Sequence, residues 1–226
     1  MNKFMNLIGI KARKASEIKI NNKIKNKVLN NYALLINKEK RSILRENKKD
    51  IKFAENKRLK ENLINRLIVN EVKLKGIVSS IKKISKLKDP VNNTLEKWSR
   101  PNGLNIKRVS IPIGVIGVIY ESRPNVTSDV SGLCFKSGNA VILRRGKDGL
   151  RSASAIVASL QKALVSCRLQ KECIQIVPSE SREAATMMLE GINGSIDVIV
   201  PRGGKSLVAE VEKSAKVPVF GHLEGI

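Results

Sequence analysis

Aromatic side chains are scarce, at 3% of 226 residues; histidine occurs once and cysteine three times. With so few rings the core must be built from aliphatic side chains, which a hydrophobic content of 42% can supply. The same scarcity counts against a single-strand nucleic-acid binder, which interleaves aromatics with basic residues; Tyr32, Phe53 and Trp98 lie far apart. Cys134, Cys167 and Cys173 are odd in number and lack C-x-x-C spacing. That pattern points to a reducing compartment, hence a cytoplasmic protein, and away from a zinc site. The lone His222 also argues against a metal centre. No apolar run approaches the roughly 18 residues of a membrane span. Residues 1–10 are too short and too polar for a secretory signal.

What is abundant is positive charge: 43 Lys and Arg against 20 Asp and Glu, a formal net charge of +23. The first hundred residues hold 27 of the basic side chains and 9 of the acidic ones, so the excess is concentrated there. It is spread over nearly every polar position and accompanied by many Asn and Ile. Such a pattern reads as the solvated faces of helices, with nucleic acid as the alternative partner.

Residues 15–90 carry helical periodicity. Ile20, Ile24, Val28, Tyr32 and Leu35 recur at helical spacing, Ile43, Leu44, Ile51 and Ala54 form a shorter stripe, and Leu63, Ile64 and Leu67 form a brief patch. Asn70 is an expected N-cap for a third stripe, Leu74, Ile77, Val78, Ile81 and Ile84. Asp89-Pro90 is its expected stop, because the residue before proline is pushed out of the helical region. Pro101-Asn102-Gly103 then predicts a hairpin turn. Beyond it, short aliphatic runs at 115–120, 140–144, 174–177, 196–200 and 218–220 alternate with helical stretches near 126–137, 150–167, 181–190 and 205–214. Apolar strands alternating with helices at this spacing predict an α/β fold with a doubly wound parallel sheet. The expected organisation is a helical N-terminal region over residues 1–95, a hairpin over 96–112 and a dinucleotide-binding α/β domain over 113–226.

Such sheets bind ligands at the carboxyl ends of their strands. There the sequence places Glu121-Ser122-Arg123-Pro124-Asn125, Arg144-Arg145-Gly146-Lys147-Asp148, Pro201-Arg202-Gly203-Gly204-Lys205-Ser206, and Gly221-His222. Each segment alone reads as a turn or solvated charge. Together they set cations and helix N-termini on one rim, suited to an anionic ligand such as a dinucleotide or an acyl phosphate. "VIVPRGGKSLVAEVEK" looks like a Walker loop, but that motif needs Gly six positions before its Lys, and Ile199 stands there. The G-x-G-x-x-G fingerprint is also absent, since Gly114 and Gly117 have the wrong spacing.

The stretch "RPNGLNIKRVSIPIGVIGVIYESRPNVTSDVSGLCFKSGNAVILRRGK" resembles the gamma-glutamyl phosphate reductases, a branch of the aldehyde dehydrogenase superfamily. "VIVPRGGKSLVAEVEKSAKVPVFGHLEGI" and "ENLINRLIVNEVKLKGIVSSIKKISKLKDPV" continue the likeness, which runs over nearly the whole chain. The resemblance implies NADPH-dependent reduction of L-glutamyl 5-phosphate to glutamate 5-semialdehyde in proline biosynthesis. It also implies a cysteine thiolate that displaces phosphate and leaves a thioester for reduction. By the same resemblance Asn125 is the oxyanion donor, Arg144 contacts the adenine ribose and Lys147 favours a 2′-phosphate. Gly203, Gly204 and Ser206 lie beside the pyrophosphate, and His222 falls near the general-base position of aldehyde-oxidising relatives.

Against that pattern, Arg145 stands where the family usually has Gly, and Asn65 replaces a usual Asp. The chain stops at "GHLEGI", before the family's catalytic domain with its nucleophilic cysteine, and none of the three cysteines substitutes. The expectation is a truncated or split reductase, inactive alone, with a separately encoded catalytic half as partner. The alternatives are a non-catalytic NADPH-binding module and a basic nucleic-acid-binding protein.

Overall fold

The computed structural model describes residues 2–121, 123–146 and 148–221. Five helices come first: α1 (Asn2–Ser16), α2 (Asn22–Lys38), α3 (Lys40–Asn56), α4 (Glu61–Leu67) and α5 (Glu71–Lys86). An antiparallel hairpin follows, β1 (Thr94–Ser99) and β2 (Asn105–Val109). Then strands and helices alternate: β3 (Val115–Tyr120), α6 (Pro124–Lys136), β4 (Ala140–Arg145), α7 (Leu150–Ser166), β5 (Ile174–Ile176), α8 (Arg182–Leu189), β6 (Val198–Arg202) and α9 (Lys205–Ser214). The fold is α/β, as the alternation of apolar strands and helices predicts.

The last four strands are parallel, in the order β5-β4-β3-β6. Their lack of polar alternation has a direct cause: both faces of the sheet are covered. Ile116, Val118, Val141 and Leu143 face a core shared with α2, α5, α6 and α7. Val115, Ile119, Ala140, Ile142 and Ile199 face a second core shared with α1, α8 and α9. The hairpin, by contrast, is exposed on nearly all its positions. Its turn is closed by Gly103 at φ 83°, a left-handed conformation that glycine adopts without strain.

Three boundaries differ from the sequence pattern. α1 lies within the expected helical region 1–95 but ahead of the stripes read from residue 15 onward. Met5, Ile8, Ala12 and Ala15 are its buried stripe, at 3- and 4-residue steps that intervening Lys and Asn conceal. Gly9 lets it approach closely, since an added Cβ would stand 2.6 Å from Ser195 Oγ. α1 is then pinned by Arg13, which donates to Asp197 Oδ1 at 2.8 Å, while Asp197 Oδ2 accepts from Val115 N at 2.7 Å. Second, β6 runs two residues further than its apolar run, through Pro201. Proline is tolerated here because β6 has, on its outer side, only a bridge from Ile199 to Val219. That bridge is all that forms of the strand expected at 218–220. Third, α5 stops at Lys86, with Leu87 already extended at ψ 146°, ahead of Asp89. Its carboxylate accepts from Lys25 Nζ at 2.9 Å and from Val91 N at 3.0 Å.

The Asn70 N-cap acts as the sequence suggests, and α2 has a similar one. Asn70 accepts from Lys73 N at 2.8 Å, and Asn21 caps α2 through Ile24 N. At the amino end of the sheet the buried Lys25 and Lys136 tie α2, α5 and α6 together. Lys136 Nζ donates to Asn22 Oδ1 at 2.7 Å and to the Ser85 carbonyl at 3.2 Å. Some of the positive charge is thus structural, and it sits opposite the end that bears on function.

Candidate functional site

β4 and β5 extend the sheet on one side of β3, and β6 lies on the other. The helix after β3, α6, packs on one face, and the helix after β6, α9, packs on the opposite face. Their starts diverge, so a crevice opens at the carboxyl ends of β3 and β6, the usual ligand position in such sheets. A cavity of about 550 Å³ occupies it, lined by Glu121, Arg123, Asn125, Asp129, Arg202, Gly203 and Gly204 among others.

The two helix starts in the crevice lack side-chain caps of their own. The neighbouring helices differ. α7 is closed by Asp50, whose carboxylate accepts from Ser152 N at 2.8 Å and Ser152 Oγ at 2.7 Å. α8 is capped by Ser181 through Ala184 N. A helix start without a side-chain cap, with its dipole, is attractive to anions, and α9 has such a start.

An anion is already present there: the side chain of Glu121. Its Oε1 accepts from Gly204 N at 2.8 Å, and its Oε2 lies 3.3 Å from Arg66 Nη1. The Glu121 backbone N–H donates to the Arg202 carbonyl at 3.1 Å, so β3 and β6 deliver the carboxylate and the glycine turn to each other. The turn must be bare for this to happen. A Cβ on Gly203 would stand 2.7 Å from Leu207 Cδ2 and 2.9 Å from Glu121 Cγ.

Asn125, at the second helical position of α6 behind Pro124, is exposed to this cavity and also to a neighbouring one of about 380 Å³ between α4, α5 and α6. Arg66 and Asp129 line both. A third cavity, about 210 Å³, runs from Arg66 and Glu121 to Gly146 and Asp148.

The candidate residues fall as follows. Asn125, Gly203 and Gly204 share the crevice. Ser206 is exposed in the first turn of α9. Arg144 aligns with Ile119 and Pro201 in one row across the sheet, and its Nη2 donates to the Ser181 carbonyl at 3.3 Å. It is not among the residues lining the crevice. Lys147 and His222 lie outside the described residues. Alternation along β4 sends Arg145 to the other face of the sheet, where a Cβ on Gly149 would stand 2.7 Å from its Nη1. Burial pushes both guanidinium groups below their ordinary value; arginine keeps its charge under such a shift. Both Nε atoms are buried without a partner.

The cysteines stand apart from the crevice. Burial raises the Cys134 thiol to about 12 and the Cys173 thiol to about 11. Cys167 and Cys173 flank the turn into β5, at the amino end of the sheet. A nucleophilic thiol needs a low pKa and access to the site, so none of the three serves the crevice. Among the described residues no group of three or more His, Cys, Asp or Glu could hold a metal ion, and no helix is long and apolar enough to cross a membrane.

Sequence reasoning set Glu121 among the strand-end residues without giving it a role, and missed Arg66 and Asp129. Asp129 was accessible to it, because it follows Asn125 by four residues on a helix and shares its face. Nothing in the sequence links Arg66 to β3.

The fold is that of the aldehyde dehydrogenase-like proteins. A propionaldehyde dehydrogenase from Clostridium phytofermentans superposes with a TM-score of 0.71 at 16% identity, over 96% of this chain and 46% of that one. Within that class the chain is homologous to the gamma-glutamyl phosphate reductases. The Brucella suis relative is 52% identical over 202 residues, 89% of this chain and 48% of its own length. The crystal structure of the Thermotoga maritima enzyme of that name matches with a TM-score of 0.92 at 33% identity, over 95% of this chain and 52% of that one. The chain spans about half the length of the curated relatives it matches. No protein-family model matches it.

Proposed function

We propose that this chain is the dinucleotide-holding part of a gamma-glutamyl phosphate reductase, in a reducing, cytoplasmic setting. NADPH would supply hydride to an acyl group derived from L-glutamyl 5-phosphate, giving glutamate 5-semialdehyde and free phosphate for proline synthesis. The observation that carries the reading is the Glu121 carboxylate on the N–H of Gly204. A protein anion already sits where a pyrophosphate oxygen would be bound, on a turn that a Cβ would obstruct. The residues present therefore fit the cofactor.

In this reading Gly203 and Gly204 admit the pyrophosphate to the start of α9, with Ser206 in its first turn. Arg144 and Lys147 serve the adenosine end, Lys147 favouring a 2′-phosphate. Asn125 lines the crevice, where its amide would donate to the oxygen that gains negative charge as the acyl carbon is attacked. Losing one such donor costs about 10²–10³ in rate. The thiol that attacks is none of Cys134, Cys167 or Cys173. These residues are then expected to bind NADPH.

Calorimetry with NADPH tests this. The expected dissociation constant is well below millimolar for the wild type and at least about tenfold weaker for Gly203→Ala, equivalent to about 1.4 kcal/mol. No heat with NADPH, combined with steeply salt-dependent retention of DNA, would favour the nucleic-acid reading instead.

A further inference from the structure

One side chain in the crevice has no role in holding a dinucleotide. Asp129 sits one turn after Asn125 on α6 and lines both of the cavities that Asn125 lines. Its Oδ1 accepts from Ser80 Oγ of α5 at 2.7 Å, a neutral donor that fixes the carboxylate without cancelling its charge. Among the described residues no cation forms an ion pair with it, although Arg66 and Lys73 line the same groove. Lys73 is turned to the end of α4, donating to the Ile68 carbonyl at 2.6 Å, and Arg66 to Glu121. A fixed carboxylate in a half-buried groove, held by a hydroxyl and ion-paired with neither Arg66 nor Lys73, is complementary to a cation from outside.

The groove has room for one. Gly76 lies in the middle of α5, and a Cβ added there would meet nothing within 4 Å. Glycine inside a helix costs about 1 kcal/mol relative to alanine, and no close neighbour requires it here. Its effect is to keep the wall opposite Pro124 and Asn125 open. Along α6 the step from Asn125 to Asp129 is four residues, about 6 Å. That is close to the span between the side-chain carbonyl and the amino group of an extended glutamate.

We propose that Asp129, held by Ser80, is the specificity residue that binds the α-ammonium of an amino-acid substrate whose side-chain carbonyl lies at Asn125. The proposal rests on the reading of Asn125 given above and adds the residue that would select an α-amino acid over a plain acid or aldehyde. A diacid lacking the ammonium would leave Asp129 facing the ligand's own negative charge, which penalises it.

The test is an amide chemical-shift titration of the full chain with L-glutamate and with glutarate, which has the same carbon skeleton and no ammonium. The expected result is saturable shifts around residues 125–129, with L-glutamate preferred by about tenfold or more. Asp129→Asn, which retains an acceptor for Ser80, should abolish that preference and bring the two ligands to similar affinity. Gly76→Leu, which raises helix propensity while filling the groove, should block both ligands without unfolding the chain. Equal binding of the two ligands, no shifts with L-glutamate, or an undiminished preference in Asp129→Asn would overturn the proposal. NADPH added to the same samples keeps the two readings apart. Shifts at Gly203 and Gly204 without ammonium discrimination remove only the role of Asp129; no shifts with NADPH remove the dinucleotide site.

Discussion

Replacing Glu121 by Gln separates two effects that usually move together. The carboxylate stabilises the unliganded protein by accepting from Gly204 N at the start of α9 and by pairing with Arg66 at 3.3 Å. Its side chain is 34% exposed and that of Arg66 43%, so solvent screens both interactions. An exposed ion pair contributes about 0.2–1 kcal/mol, and a carboxylate at a helix start about 0.3–1 kcal/mol. Glu121→Gln should therefore lower stability by about 1 kcal/mol, roughly 2–4 °C in Tm for a chain of this size. The same carboxylate competes with an incoming pyrophosphate for one N–H and repels its charge. Removing it should tighten NADPH binding by about 3–10-fold, or roughly 0.7–1.4 kcal/mol. Differential scanning fluorimetry and titration calorimetry on the same preparation read the two numbers. A variant that is less stable and binds NADPH more weakly would refute the reasoning, since Glu121 would then be a support for the ligand rather than its stand-in.

Other outcomes follow from groups away from the crevice. Burial raises the pKa of Asp197, but the hydrogen bond from Arg13, the N–H of Val115 and the Arg13 charge outweigh it, so the folded value lies below the ordinary one. Its contribution is then present above the unfolded carboxylate value near 4 and lost as pH falls through the lower folded value. Asp197→Asn should cost about 1 kcal/mol in urea denaturation at pH 7 and progressively less below pH 4; a cost independent of pH would contradict the assignment. Thiol labelling of the native protein at pH 8 should modify Cys167 and spare Cys134 and Cys173, whose thiols burial holds at about 12 and about 11. Mass spectrometry of the digested product distinguishes the three sites, and prompt labelling of Cys134 would be incompatible with its burial.

Much of the sheet was legible because parallel strands covered on both faces become uninterrupted aliphatic runs, and 115–120 coincides with β3. The same rule failed where chemistry and apolarity part. β6 continues through Pro201 and Arg202, residues no apolar run would include, and the continuation is what brings Arg202 level with Tyr120 and the glycine turn level with Glu121. α1 went unread because the stripe that buries Met5, Ile8 and Ala12 is narrow and set among Lys and Asn. In the crevice, the strand-end rule located Asn125, Gly203 and Gly204 on one rim. It gave no reason to separate Arg144 from Arg145, which alternation along β4 sends to opposite faces. Nor could it pair Arg66 with Glu121, a contact across 55 residues made only by the tertiary fold.

The first helix has a consequence for how the chain is made. α1 emerges from the ribosome before anything else described here, yet its partner Asp197 lies 184 residues away from Arg13. At synthesis rates of about 5–20 residues per second, the Arg13 guanidinium waits roughly ten to forty seconds for that partner. Met5, Ile8 and Ala12 share a core with Val115, Ala140 and Ile142, all made before Asp197, so the apolar packing of α1 can precede its pinning. The Arg13–Asp197 contact is thus expected to form late in synthesis, after the strands that α1 covers are already made.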